Sequence, residues 1–176
     1  MHMKKNVLVF GIISGLVISI FMSISMISMS KNPAADHGVN SMLIGYLSML
    51  IAFSLIFVAV KTYRDKQNGG VISFGKAFKM GLLIALIGST IYVITWSLVY
   101  NLYLPDFMDK YADAMIKKAK PEELKKVTAE VQSYKEMYKN PFMFTFMTYM
   151  EILPVGLIVA LITALLLKRK QKAVNV

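Results

Sequence analysis

Cysteine is absent from this 176-residue chain, and that absence removes disulfides, thiolate metal sites and thiol nucleophiles together. Histidine is nearly absent. His2 and His37 stand far apart and outside the apolar stretches, so no metal-ligand cluster is expected. Acid is scarce as well, with ten Asp and Glu against twenty Lys and Arg. Paired intramembrane carboxylates, a nucleophile held against a histidine and a redox ligand set are all missing. The chain is therefore expected to be neither an enzyme nor a cofactor carrier. What is plentiful is apolar surface: 56% of the residues are hydrophobic and the mean hydropathy is +0.56. A soluble domain of that composition would have too few polar side chains to cover itself, so the class is integral membrane protein. A net charge of +10 would suggest nucleic acid in a soluble protein. Here lysines collect beside membrane spans instead, and no nucleic-acid partner is expected.

Four charge-poor runs are long enough to cross a hydrocarbon core, which takes about 20 helical residues. They predict spans near 7–29, 42–63, 74–104 and 141–167, with the whole of 1–176 forming one membrane domain. The fold class is all-α: an integral membrane four-helix bundle with an extracytoplasmic helical hairpin between spans three and four. Lys4 and Lys5 before the first run imitate a secretory leader. A leader's apolar core is only about 7–15 residues long, however, and no small-residue cleavage site follows, so the run is expected to stay as a span. Gly11, Gly15, Ser19 and Ser23 recur at every fourth position and share one helix face. Small residues so spaced let two helices approach closely in lipid. The neighbour is either another span of the same chain or a second copy across a homodimer seam.

Asn68-Gly69-Gly70 breaks the chain after the second span, and Ser73 is placed to cap a helix starting at Phe74. On that helix Phe74 and Phe78 fit the membrane interface, with Lys76 and Lys79 expected to reach for headgroups. Gly69-Gly70 is no phosphate loop, because the Gly-x4-Gly-Lys-Ser/Thr spacing is absent. The third span ends in Tyr92, Trp96, Tyr100 and Tyr103, an aromatic face suited to an interfacial belt and to helix packing. Residues 106–140 are the long hydrophilic segment, with eight lysines against seven acids. Phe107, Tyr111, Met115 and Ile116 fall on one side of a first helix, and Leu124, Val127, Val131, Tyr134 and Tyr138 on one side of a second. Pro121 is placed for the second helix's first turn. Those apolar stripes predict a hairpin folded onto the span ends, touching Tyr100 and Tyr103. The amino terminus, the 61–79 segment and the tail hold 11 of the 20 basic residues and one acid, Asp65. Basic excess marks the cytoplasmic side, so both termini are expected inside and the hairpin outside.

The fourth run carries the one intramembrane acid. Glu151 lies about 13 Å along the helix from Phe142, at about 1.5 Å per residue. Pro154 follows three residues later and leaves the Met150 carbonyl without its usual donor. An ionisable group at that depth is a functional candidate. No lysine or arginine lies inside a span to pair with it. Ser23, Ser19, Ser54, Thr95 and the Trp96 indole are the polar groups at comparable depth. The expectation is a Glu151 facing the bundle interior, protonated, and bonded to a hydroxyl or the freed carbonyl. It then serves either as a clamp between helices or as a proton site.

Three stretches carry a family resemblance: Lys4-Lys5 leading into the glycine-bearing first span, Gly70-Val71-Ile72-Ser73-Phe74-Gly75-Lys76-Ala77-Phe78-Lys79, and Glu151-Ile152-Leu153-Pro154-Val155-Gly156-Leu157. With the four-span layout they resemble the bacterial membrane proteins grouped as domain of unknown function 4199, over nearly the whole chain. The resemblance implies a multi-pass protein of the inner membrane and lends no catalytic residue. The function expected is a membrane-embedded interaction or accessory protein, its partners being the lipid bilayer and a membrane protein or a further copy of itself. The alternative is a small-solute or proton-coupled transporter centred on Glu151.

Overall fold

A computed structural model describes residues 2–31 and 39–169, so His37 lies outside the described residues. Six helices follow one another: α1 (His2–Lys31), α2 (Val39–Gln67), α3 (Phe74–Tyr103), α4 (Phe107–Lys118), α5 (Leu124–Lys139) and α6 (Pro141–Leu167). Four of them, α1, α2, α3 and α6, are long and apolar enough to cross a membrane. Chain direction puts the start of α1, the α2–α3 turn and the end of α6 at one end of the bundle, the termini end. The α4–α5 hairpin sits at the other. Around the bundle α1 and α6 each pack on both α2 and α3, while α2 and α3 meet across the diagonal. The most extensive packing is that of α3, against α1 on one side and α6 on the other.

Small residues set these distances. A Cβ built on Gly156 would lie 2.7 Å from the Ala85 Cβ, and one on Gly81 would lie 2.7 Å from the Ala160 Cβ. On the other side of α3, a Cβ on Gly11 would lie 2.8 Å from the Ile87 Cβ, and one on Gly15 2.8 Å from the Ile91 Cβ. The α1 face of Gly11, Gly15 and buried Ser19 thus packs within the chain, against α3. The Phe53 ring of α2 fills the centre, fully buried, within 3.2 Å of where Cβ atoms on both Gly88 and Gly156 would be. Without a hydrophobic drive between lipid-bathed helices, this close van der Waals contact is what binds them.

The termini end is closed by polar and backbone bonds. Gly69 and Gly70 take φ values of 63° and 78°, a left-handed pair that ends α2 and that side chains with a Cβ rarely adopt. Gly70 N–H donates to the Arg64 carbonyl at 2.8 Å. Ile72 and Arg169 then exchange both backbone bonds, at 3.1 and 2.8 Å, tying the α2–α3 turn to the segment after α6. Ser73 caps α3, accepting from Lys76 N–H at 3.3 Å. The Lys76 ammonium, expected to reach outward, folds inward instead. It donates to Asn68 Oδ1 at 3.1 Å and lies 4.8 Å from the centre of the Tyr63 ring, because those two partners satisfy the charge locally. Pro121 also departs from expectation: it stands in a turn, and α5 begins at Leu124.

The close contacts generate a paired prediction. Gly156→Ala should destabilise the bundle by about 1–3 kcal/mol, the usual cost of overpacking. Gly45→Ala in α2 meets nothing within 4 Å and should be neutral or stabilising by up to about 1 kcal/mol. Unfolding of the detergent-solubilised protein, compared between the two variants, checks both; equal effects would refute the account.

Candidate functional site

The hairpin end is where titratable and aromatic groups converge. Asn140 turns the chain from α5 into α6: its Oδ1 accepts from Phe142 and Met143 N–H at 3.0 and 3.3 Å, and Pro141 occupies the first helical turn. This cap brings Phe144 beneath Tyr138, their ring centroids 5.3 Å apart and nearly perpendicular. From α3, Trp96 stacks on Phe144 at 6.4 Å and meets Phe107 edge-on at 5.5 Å. Tyr100 sits among Phe144, Tyr138 and Phe107, at 5.2, 5.5 and 6.3 Å. The Trp96 indole and the Tyr138 hydroxyl lie within electrostatic reach of each other. Five rings from four helices therefore hold the hairpin on the spans. Tyr103 is not among them; it is 66% exposed, turned to the outside of α3.

Within the hairpin, α4 and α5 pack through Met108, Ala112 and Val131. The Lys135 ammonium reaches across to Asp109 at 2.6 Å and holds that carboxyl below the usual carboxylate range. Burial under the aromatic cluster pushes the Tyr138 hydroxyl up to about 12. Tyr111, Met115, Leu124 and Tyr134 remain exposed, an apolar stripe that the bundle does not cover.

Glu151 is placed differently from expectation. It lies on the flank of α6 beside the buried stripe Phe144, Thr148, Ile152 and Gly156, and its side chain is exposed. Protein crowds it on the inner side, toward the Tyr92 and Tyr138 hydroxyls, while the residue as a whole remains exposed on the outer flank of the helix. It makes no hydrogen bond among the described residues. Two of its expected partners give their protons to their own helices instead. Thr95 Oγ1 donates to the Ile91 carbonyl at 2.9 Å and Ser54 Oγ to the Ile51 carbonyl at 2.6 Å, each on its own helix. Thr148 of α6 likewise turns back on the Phe144 carbonyl at 2.8 Å. Ser23 is half-buried on α1, and the Ser19 hydroxyl is buried without a partner. Pro154 lines an open groove of about 530 Å³ with Leu86, Phe146, Tyr149, Leu153 and Leu157, to which Glu151 does not contribute. The structure thus does not gather Glu151, Pro154, Thr95, Trp96 and Ser23 into one bonded site. It gathers Trp96 with Tyr100, Phe107, Tyr138 and Phe144. The four-residue steps from Trp96 to Tyr100 and from Tyr134 to Tyr138 signalled aromatic faces, but nothing in the sequence paired the two. No group of three or more potential metal ligands occurs among the described residues.

A family model described as "Protein of unknown function (DUF4199)" matches residues 9–169. The match begins after Lys4-Lys5 and takes in both the Gly70–Lys79 and the Glu151–Leu157 stretches. No curated protein and no solved structure matches the chain.

Two measurements test the docking. Tyr100→Ala removes a ring that touches four others, Trp96, Phe107, Tyr138 and Phe144, each such contact worth roughly 0.5–1.5 kcal/mol. Cleavage of the 107–139 segment by a dilute protease should then speed up about tenfold or more, since about 1.4 kcal/mol corresponds to a tenfold change in an opening equilibrium. The raised Tyr138 hydroxyl fixes a sign. A group whose folded value lies above its unfolded one, near 10, adds stability that is fully present below pH 10 and lost as pH rises through about 12. Trp96 fluorescence should report that alkaline loss in the native protein and not in Tyr138→Phe; identical alkaline profiles would refute it.

Proposed function

The chain belongs to the DUF4199 family, described only as proteins of unknown function, and with no activity to inherit we propose that it is a membrane-embedded interaction or accessory protein without chemistry of its own. The observation that carries this reading is the hairpin. It is fastened to the spans by five rings yet leaves Tyr111, Met115, Leu124 and Tyr134 partly exposed and available to a partner membrane protein or a further copy. The filled centre of the bundle agrees with it, since Phe53 between Gly88 and Gly156 occupies the axis that a solute would need. The reading places the protein in the cytoplasmic (inner) membrane with both termini cytoplasmic. Its support is the unequal distribution of basic residues, 11 of 20 at the termini end beside the single acid Asp65.

One observation favours a second reading, a proton-coupled transporter. Glu151 is an exposed acidic residue inside a span, with no hydrogen bond among the described residues. Burial in lipid without a partner is costly for its charged form, so taking up and releasing a proton is a role that suits this position.

Photocrosslinkers at Met115 and Tyr134 discriminate the two. The interaction reading expects a discrete crosslinked membrane protein in native membranes, lost when the probes move to solvated Lys126. Glu151→Gln should leave that crosslink intact. If the crosslink never forms, and Glu151→Gln abolishes proton flux in reconstituted vesicles, the second reading replaces the first. Orientation is checked with Lys126→Cys: a membrane-impermeant thiol reagent should label it from the extracytoplasmic side, and labelling only from the cytoplasmic side would reverse the topology.

A further inference from the structure

At the termini end, α2 and α6 form a corner whose charge is not balanced. Arg64 forks onto its neighbour Asp65 at 2.6 and 3.1 Å and gives its remaining arm to the Leu167 carbonyl at 3.4 Å. That fork uses the one acid of the corner. Lys61 and Arg169 both lie within electrostatic reach of the same Asp65, and Lys168 caps α6 beside them. All three are exposed, and none forms a salt bridge among the described residues. The backbone exchange between Ile72 and Arg169 holds Arg169 in place, so these cations are brought to one corner by the fold rather than spread along a free tail.

What lies beside the corner has the opposite character. On α2 the turn before Lys61 exposes Val58, and on α6 the turns before Lys168 expose Ile158, Ile162 and Leu165. A cationic corner at the end of two helices that both expose apolar side chains matches a molecule with an anionic head and a hydrocarbon tail. Lysine stems and the planar arginine fork are both suited to phosphate oxygens.

We propose that the α2–α6 corner formed by Lys61, Lys168 and Arg169 is a binding site for an anionic phospholipid, with its phosphate among the three cations and an acyl chain along Val58, Ile158 and Ile162. Asp65 does not oppose it, because the Arg64 fork already neutralises that carboxylate. The site is independent of the hairpin and of Glu151, and it gives the protein a preference among lipids that neither reading of its function requires.

The test uses the full chain in a neutral detergent, with phosphatidylglycerol and phosphatidylcholine of matched acyl chains as probes. Native mass spectrometry counts the lipid retained. Phosphatidylglycerol should be retained in preference. Lys61→Gln and Arg169→Gln should each weaken that retention about fivefold, the worth of one basic side chain at an anionic lipid surface. The charge-preserving pair Lys61→Arg and Arg169→Lys should keep it, which separates loss of the site from misfolding. Lys126→Gln, on the hairpin, should change nothing. Equal retention of the two lipids overturns the proposal, as does unchanged phosphatidylglycerol retention in the Lys61→Gln/Arg169→Gln double variant. Inorganic phosphate that competes at the lipid's own concentration would assign the corner to a free anion and overturn it as well.

Discussion

The closeness of α3 to α1 and to α6 is the constraint on which the rest of this bundle depends. In lipid, apolar side chains gain little by leaving their surroundings, so helices hold together by contact area at short range. Glycine supplies that range on both sides of α3: Gly11 and Gly15 toward one neighbour, Gly81 and the facing Gly156 toward the other. Because the same helix is gripped twice, α1 and α6 are fixed relative to each other without touching extensively. The remaining central space is a shape that one Phe53 ring fills. Ordinary side chains in place of Gly11, Gly15, Gly81 or Gly156 would hold the spans apart.

The two ends of the bundle are finished by different chemistry. At the hairpin end, rings from α3, α4, α5 and α6 converge and pack edge-on and stacked into one aromatic cluster. At the termini end, backbone takes over: a left-handed glycine pair, a carbonyl shared with Arg64 and the Ile72–Arg169 exchange. An interfacial aromatic dock tolerates contact with both lipid and water, whereas a backbone exchange needs an ordered turn, which Gly69-Gly70 and the Ser73 cap supply.

The four spans and the two hairpin helices were legible in the sequence because their signal is length and periodicity, which the bilayer imposes from outside. The partner of the α1 small-residue face was not legible: Gly11 and Gly15 state that something approaches closely, and only the fold says it is Ile87 and Ile91. The surroundings of Glu151 were misread for a related reason. Thr95 and Ser54 can spend their hydroxyls on their own helix's carbonyls, an option always within reach and invisible in a residue list. Lys76 likewise is held by Asn68 and Tyr63 of its own chain. The hairpin end of α3 shows the limit of helical-face reasoning: Tyr100 is drawn under the hairpin, while Tyr103, three residues on, is exposed.

The Ile72–Arg169 exchange bears on how the molecule is built during synthesis. Its two strands of backbone come from the turn between the second and third spans and from the segment after the fourth, so the earlier one leaves the ribosome long before the later one exists. Until α6 has been inserted, Ile72 has neither its donor nor its acceptor, and α3 lacks one of its two close neighbours. The assembly therefore has a natural order. The α1–α3 pair can form first through Gly11 and Gly15, and arrival of α6 then completes the grip on α3 and latches the waiting turn in one step. An insertion intermediate stalled before α6 would expose the Ala85 and Gly81 side of α3 to the bilayer, a surface of the kind that membrane chaperones and proteases encounter.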